Sequence, residues 1–197
     1  SPAEAGAARL ILSYSSTHPG RYLRYEPASK KLTQLFATRP WIAPEKMAEQ
    51  LVFDYKARDG LPIMAYLTLP KGRAGTGLPL IVLPHGGPNL RDEWGFSGLV
   101  QFLASRGYVV LQPQFRGSTG FGQPHLQKGF RQWGLAMQDD LTDGVRNLVS
   151  QGLVDPARVC IMGASYGGYA SLMAVARAPE RYRCAVAGMP VSDLPAL

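Results

Sequence analysis

The sequence predicts an α/β fold: a mostly parallel sheet opened by an antiparallel hairpin. Three observations carry this. Leu78–Leu83, Tyr108–Phe115 and Arg158–Met162 are short apolar runs, as strands covered on both faces require. Helical periodicity fills the stretches between them. Ahead of them, an alternating segment, Gln50–Ala57, meets Leu61–Leu69 across Asp59-Gly60, a dipeptide that favours a hairpin turn. Strands that alternate with helices after an opening hairpin argue a largely parallel sheet.

The elements follow in order. Arg9–Tyr14, Arg21–Glu26 and Leu32–Phe36 are strand-like and separated by Ser15–Gly20 and Pro27-Ala28-Ser29-Lys30, which carry turn chemistry. This small meander is too short to bury a face alone and needs a neighbour. Arg39–Lys46, with two prolines, reads as a linker. Residues 1–46 and 47–197 are therefore expected to belong to different domains. After the hairpin and the Leu78–Leu83 strand comes His85-Gly86-Gly87-Pro88. Trp94–Arg106 is expected to be helical and to stop at Gly107. Tyr108–Phe115 is a buried strand, and a glycine-rich loop runs from Gly117 to Gly122. Trp133–Gln151 is amphipathic, with Leu135, Leu141, Val145, Leu148 and Val149 expected to face inward. The turn Asp155-Pro156 introduces the Arg158–Met162 strand. Tyr166–Ala178 carries Ala170, Leu172, Met173, Val175 and Ala176 almost all round a helix, which predicts a buried one ending at Pro179. Cys184–Ala187 is expected to be a further buried strand.

Composition narrows the function classes. The 197 residues can bury a sizeable core. No apolar run is long enough to span a bilayer, and Ser1–Leu10 shows no signal-peptide pattern. The net charge of +7 is spread along the chain, with small clusters at Lys30-Lys31 and Arg177–Arg183. Neither is interleaved with aromatics, so a solvated face is expected and a nucleic-acid surface is not. The two cysteines, Cys160 and Cys184, lie in apolar runs and read as buried thiols. They are compatible with a reducing compartment without demanding one: a cytoplasmic location is favoured, with periplasmic or secreted ones open. Three scattered histidines suggest no metal site.

The chemistry centres on Gly163-Ala164-Ser165-Tyr166-Gly167. This G-x-S-x-G pattern is weak by itself. Here a strand precedes it and a helix follows, as a nucleophile elbow requires. The glycines are needed because backbone approaches backbone with no room for a Cβ. Ser165 at the apex would sit strained with its hydroxyl exposed, and the helix amides would face developing negative charge. An elbow in this setting implies an α/β-hydrolase fold, of which these residues form the N-terminal part.

Acyl transfer by serine needs a nucleophile, a base, an orienting acid and oxyanion donors. Ser165 supplies the first. The backbone N–H of Tyr166 is the expected first donor. The second is expected from the loop after Leu78–Leu83, from Gly87 or alternatively Gly86. The base is missing. His18, His85 and His125 all precede Ser165, whereas this fold places acid and then histidine after the nucleophile. Only Glu180 and Asp193 are acidic after Ser165, and neither suits the orienting role. The base and acid are therefore expected outside these residues. His85 is expected to hold its loop by a hydrogen bond and His125 to lie on a surface loop. Asp139-Asp140 is expected to be structural, paired with an arginine. Arg116 would pair with a buried acid or meet a substrate carboxylate.

Together, these motifs resemble the prolyl oligopeptidase family of serine peptidases, closest to its acylaminoacyl-peptidase and dipeptidyl-aminopeptidase-like branch. The matching residues are His85-Gly86-Gly87-Pro88, Phe115-Arg116-Gly117-Ser118-Thr119-Gly120-Phe121-Gly122, Gln138-Asp139-Asp140, Gly163–Tyr169 and Met189-Pro190-Val191-Ser192-Asp193. The resemblance covers roughly Met47–Leu197. It implies that Ala8–Phe36 ends the last blade of a β-propeller that limits access, and that the family's triad acid and histidine lie beyond Leu197. Where other branches carry an oxyanion tyrosine this chain has His85, which implies two backbone donors. The expected activity is hydrolysis of short peptides through an acyl-enzyme, with no cofactor. The expected partners are peptide substrates and the rest of the polypeptide, with homo-oligomerisation left open and no nucleic acid or membrane. The rival readings are a carboxylesterase-like hydrolase and, from another class, a non-catalytic scaffold or binding module.

Overall fold

The computed structural model describes residues 7–73 and 75–194. Residues 1–6, Ala74 and 195–197, which include both ends of the expected domain ranges, lie outside the described residues. The first three strands, β1 (Arg9–Ser13), β2 (Arg21–Glu26) and β3 (Lys31–Ala37), form the antiparallel meander that the alternation of strands and turns predicts. A 3₁₀ turn at Pro44–Lys46 leads into the second sheet. Its hairpin is β4 (Gln50–Lys56) and β5 (Pro62–Thr68), turned at Gly60 with φ of 85°. Then follow β6 (Leu78–Val82), α1 (Gly98–Ser105), β7 (Val109–Pro113), α2 (Gln123–Gln127), α3 (Ala136–Ser150), β8 (Val154–Ala164), α4 (Tyr166–Arg177) and β9 (Cys184–Gly188).

The six strands run in the order β4-β5-β7-β6-β8-β9. The β4–β5 and β5–β7 pairs are antiparallel and the rest are parallel. Helices cover both faces. On one, Leu80, Val82, Leu111 and Ile161 pack with Leu141 and Leu148 of α3 and Ala170 of α4. On the other, Ile81 and Val110 pack with Val100 and Leu103 of α1. Successive β6 residues thus serve opposite layers, the reason the run is apolar throughout. The meander is tied to the larger sheet by polar contacts: the Gln50 N–H donates to Ser16 Oγ, and Gln101 Nε2 donates to the carbonyls of Ser16 and Ala48.

Several expectations are corrected. Cys160 and Cys184 form a disulfide, and Cys184 is exposed. They lie directly opposite each other across β8 and β9, with Cα atoms 4.7 Å apart, within bridging range. Sequence reading lacked that register. β9 is an edge of the described sheet, with Val186 52% exposed, and not a buried strand. The first long helix starts at Gly98 rather than Trp94, because Ser97 caps it by accepting the Val100 N–H. The second starts at Ala136, so Leu135 lies outside it and is exposed. Asp155-Pro156 does not end a turn but lies within β8, where the pairing with β6 shifts register between Leu78 and Leu80. Helix α4 buries Ala170 and Ala174 but turns Leu172 and Ala176 outward. His125 sits on the short helix α2, which sequence reading missed, and is buried.

Candidate active site

The elbow joins β8 to α4. Ser165 occupies it with φ of 56° and ψ of −121°, a region that non-glycine residues rarely enter. Surrounding glycines make the bend possible. A Cβ on Gly163 would lie 2.5 Å from the carbonyl of Gly167, and one on Gly167 would strike the Pro84 carbonyl. A Cβ on Gly168 would lie 2.7 Å from the Gly188 carbonyl. Each clash is with backbone, which cannot swing aside. The bend is also held from β9: the Ser165 N–H donates to the Gly188 carbonyl at 3.0 Å. Ser165 itself is exposed, and its hydroxyl has no hydrogen-bond partner among the described residues. Behind it the Tyr166 ring is buried among Phe115, Trp133 and Tyr169, which seats the first turn of α4. Burial drives the Tyr166 hydroxyl pKa up, and its oxygen has no partner among the described residues, so the ring acts here as packing.

The loop after β6 lies against this bend. A Cβ on Gly86 would sit 3.6 Å from the Ser165 Cβ, in ordinary van der Waals contact, so the chain passes directly beside the nucleophile. The N–H groups of Gly86, Gly87 and Tyr166 donate to no acceptor among the described residues. A cleft of about 390 Å³ opens alongside, lined by His85, Gly86, Asp92, Gly163, Ala164 and Val186.

The loop from Phe115 to Gly122 buttresses the first. His85 stacks on Phe115 with ring centroids 4.3 Å apart. Its Nδ1 lies 2.7 Å from the Gly86 carbonyl and its Nε2 2.8 Å from Ser118 Oγ. Asn89 Nδ2 donates to the Gly117 carbonyl, and the Thr119 N–H donates to the Leu90 carbonyl. His125, from below, places Nε2 by the carbonyls of Gln114 and Phe115. His85 thus links its own loop to the Phe115–Gly122 loop. His125 is a buried brace, because α2 folds back under the loop instead of leaving it in solvent. None of the three histidine rings hydrogen-bonds to Ser165.

Arg116 fixes the base of this loop. Its Nε and Nη2 donate to the two oxygens of Asp140 at 2.8 and 2.7 Å, and its own N–H reaches Asp140 Oδ2 at 2.9 Å. Asp59, from the β4–β5 turn, takes the remaining edge of the guanidinium at 2.9 and 3.1 Å. Asp140 is fully buried, and that burial pushes its pKa up against the pull of Arg116. Asp59 is held below its ordinary range chiefly by its hydrogen bond to Arg116. The arginine is thereby spent on structure, and it is no longer offered to a substrate carboxylate. Asp139 pairs with Arg58 at 3.1 Å, as the structural reading of the doublet requires. Ser118 and Asn89 are the site residues that sequence reading left without a role. Ser118 stands in the motif, but nothing in the sequence joins position 118 to position 85.

A mixed, mostly parallel sheet with helices on both faces and a strained serine at a strand-to-helix bend defines an α/β-hydrolase. The family model for the prolyl oligopeptidase family matches residues 94–197, more than half of the sequence, and the chain belongs to that family. It is similar to dipeptidyl aminopeptidase BIII of Pseudoxanthomonas mexicana, 41% identical over 184 residues that cover 89% of this chain and 27% of that protein. It is also similar to the acylamino-acid-releasing enzyme of Arabidopsis thaliana, 33% identical over 116 residues, 59% of this chain and 15% of that one. Among solved structures, a puromycin-hydrolyzing peptidase of Mycobacterium tuberculosis matches with a TM-score of 0.83 and 25% identity, over 96% of this chain and 30% of its own. The chain thus spans about a quarter of the length of the first of these relatives.

Proposed function

We propose that these residues form the nucleophile-bearing part of a serine peptidase that cleaves short peptides, releasing an acylated amino acid or a small N-terminal fragment. Ser165 attacks the scissile carbonyl as a base takes its proton. The amides of Tyr166 and Gly87 receive the developing oxyanion, with Gly86 as the alternative second donor. Water then clears the acyl-enzyme. The base and its orienting acid come from polypeptide outside these residues, in the chain order that this fold uses. The meander of β1 to β3 is the end of a propeller blade within residues 1–46, and residues 47–197 begin the catalytic domain. The names of the similar proteins, an aminopeptidase and an acylamino-acid-releasing enzyme, support peptides over simple esters.

The observation that carries this reading is Ser165: exposed, at φ of 56°, with no partner for its hydroxyl among the described residues, beside amides that lack acceptors. Such strain persists only where the surroundings enforce it, and here three glycines and the Gly188 carbonyl do so. The test is labelling of the full-length polypeptide with a fluorophosphonate, followed by peptide mapping. The adduct is expected on Ser165 and absent from Ser165→Ala. Turnover of acylaminoacyl- and dipeptidyl-nitroanilides should vanish in the same variant. An unlabelled wild type would leave only the scaffold reading. Labelling with ester turnover but no peptide turnover would favour the carboxylesterase.

A further inference from the structure

Four arginines from separate stretches of the chain converge on one cavity, which shares no lining residue with the cleft beside Ser165. Arg58 comes from the β4–β5 turn, Arg146 from α3, Arg177 from the end of α4 and Arg181 from the turn that follows it. The cavity measures about 180 Å³, room for a phosphate-sized ion and part of its water shell. In the sequence Arg177–Arg183 reads as a solvated face. Folding instead gathers two of its arginines with two distant ones around a concave site.

The neighbouring acids do not use these cations up. Arg58 is well paired: its Nε and Nη2 donate to Asp143 at 2.9 to 3.2 Å, and its Nη1 lies 3.1 Å from Asp139. The other three are held more loosely. Arg146 meets Asp143 at 3.5 Å, Arg177 meets Asp139 at 3.7 Å, and Arg181 meets the exposed Glu180 at 3.4 Å. Those separations exceed a charge-assisted hydrogen bond, and ion pairs this exposed contribute little. Arg177 also directs Nη1 to the carbonyls of Gly134 and Leu135, which leaves its Nη2 for another acceptor. Four guanidinium groups thus meet three carboxylates, and one positive charge is uncompensated. Gln138 lines the same cavity at 3% exposure, and neither its amide nitrogen nor its amide oxygen has a hydrogen-bond partner among the described residues. A buried amide left unpaired costs free energy that a bound partner would recover. An oxyanion can accept from that amide and from the guanidinium groups together, and the planar fork of arginine suits phosphate oxygens two at a time.

We propose that this cavity is a binding site for a phosphate group, free or carried by a small molecule, held by Arg146, Arg177, Arg181 and the amide of Gln138, with Arg58 adding charge. The site is separate from the chemistry at Ser165 and does not depend on it. Its occupant ties α3 to the end of α4 and to the turn beyond, so binding stabilises the folded protein.

The test titrates inorganic phosphate into the full-length polypeptide by calorimetry and follows Tm, with sodium chloride holding the ionic strength constant. Wild type is expected to show saturable binding at one site per chain and a Tm that rises with it. Sodium chloride alone should give no such rise. The double variant Arg146→Gln with Arg181→Gln, both on exposed side chains, is expected to bind phosphate about tenfold or more weakly, the cost of losing a charge-assisted hydrogen bond. Gln138→Glu sets a carboxylate beside the ion, should weaken binding at least as much, and serves if the double variant fails to fold. A sugar phosphate titrated in parallel distinguishes the sources: tighter binding than inorganic phosphate assigns the site to a phosphomonoester, weaker binding to the free ion, and both keep the site. Binding that does not saturate, an equal rise in Tm with chloride, or wild-type affinity in the double variant would overturn the proposal. The last result would place the ion elsewhere, as at the amides beside Ser165. Fluorophosphonate labelling of Ser165 in the same wild-type preparation reports on the peptidase reading separately.

Discussion

The two sides of the nucleophile are built by different physics. On one side, the bend from Gly163 to Gly168 is shaped by exclusion: backbone passes so close to backbone that no Cβ fits, and the strained serine is what remains. On the other, the loops at His85–Leu90 and Phe115–Gly122 are held by side chains with complementary polarity, His85 with Ser118, Asn89 with Gly117, Arg116 with Asp140 and Asp59. The exclusion between Gly163 and Gly167 is local and leaves a spacing that can be read directly, although Gly167 and Gly168 are also crowded by the distant carbonyls of Pro84 and Gly188. Polar networks act between residues 24 to 57 positions apart and leave none. The contrast predicts that the polar side breaks by loss of charge partners and responds to pH, while the elbow does neither.

The largest effect is expected from Arg116→Met. Asp140 would be left as an uncompensated carboxylate with no solvent exposure, and breaking a buried pair in this way costs about 3 to 5 kcal/mol. Urea denaturation of the full-length polypeptide should show the loss at pH 8. It should shrink at low pH, where Asp140, whose pKa burial already raises, takes up a proton. The double variant with Asp140→Asn should recover part of it at pH 8. A loss below 1 kcal/mol at pH 8 would mean that the loop stands without its ion pair, and the division into two mechanisms would fail.

The contrast also explains how much was legible beforehand. The alternation of strands and helices, the opening hairpin and the strand-to-helix bend at Ser165 follow from apolar periodicity and from one glycine pattern, and these elements appear as expected, whereas the strand order across the sheet was not legible. The misreadings have two causes. Cys160 and Cys184 were separable only by knowing that β8 and β9 pair in that register. His125 was placed in solvent because nothing local says that α2 tucks beneath Phe115. Leu135 and the start of α3 moved because periodicity locates a helix better than it locates its end. For the cysteines and for His125 the deciding contact is tertiary, and a single sequence does not carry it.

A smaller effect tests the pH half of the comparison. Asp92 lines the cleft beside Ser165, and its Oδ2 is buried with no partner among the described residues. Burial pushes its pKa up to about 6, against a hydrogen bond from Gln112. In the unfolded chain it titrates near 3.8, so between those values the folded state binds more protons and stability falls as pH rises. Above pH 6 the full penalty applies, about 2 to 3 kcal/mol for that difference. Asp92→Asn should therefore raise the urea midpoint at pH 8 and change it little near pH 4. A gain that is the same at both pH values would show that the carboxylate's charge is not the cost.

The smallest effect isolates the elbow. A non-glycine residue at φ of 56° and ψ of −121° carries about 1 to 3 kcal/mol of backbone strain, and glycine would relieve it while returning roughly 0.5 to 1 kcal/mol to the unfolded chain as entropy. Ser165→Gly is expected to stabilise the protein by about 1 kcal/mol and to abolish acylation. Ser165→Ala abolishes acylation equally, but its Cβ keeps the strain, so it should leave stability near wild type. The pair separates two explanations that either variant alone confuses. If both stabilise by the same amount, the relief comes from removing the hydroxyl and the bend itself stores nothing. If only glycine does, the serine is held in a conformation that its own backbone resists, and the neighbouring glycines and the Gly188 carbonyl supply the restraint. Neither gain should vary between pH 5 and 8, because no group within the bend titrates there. That insensitivity, set beside the behaviour of Asp92 and Asp140, is the sharpest separation of the two sides.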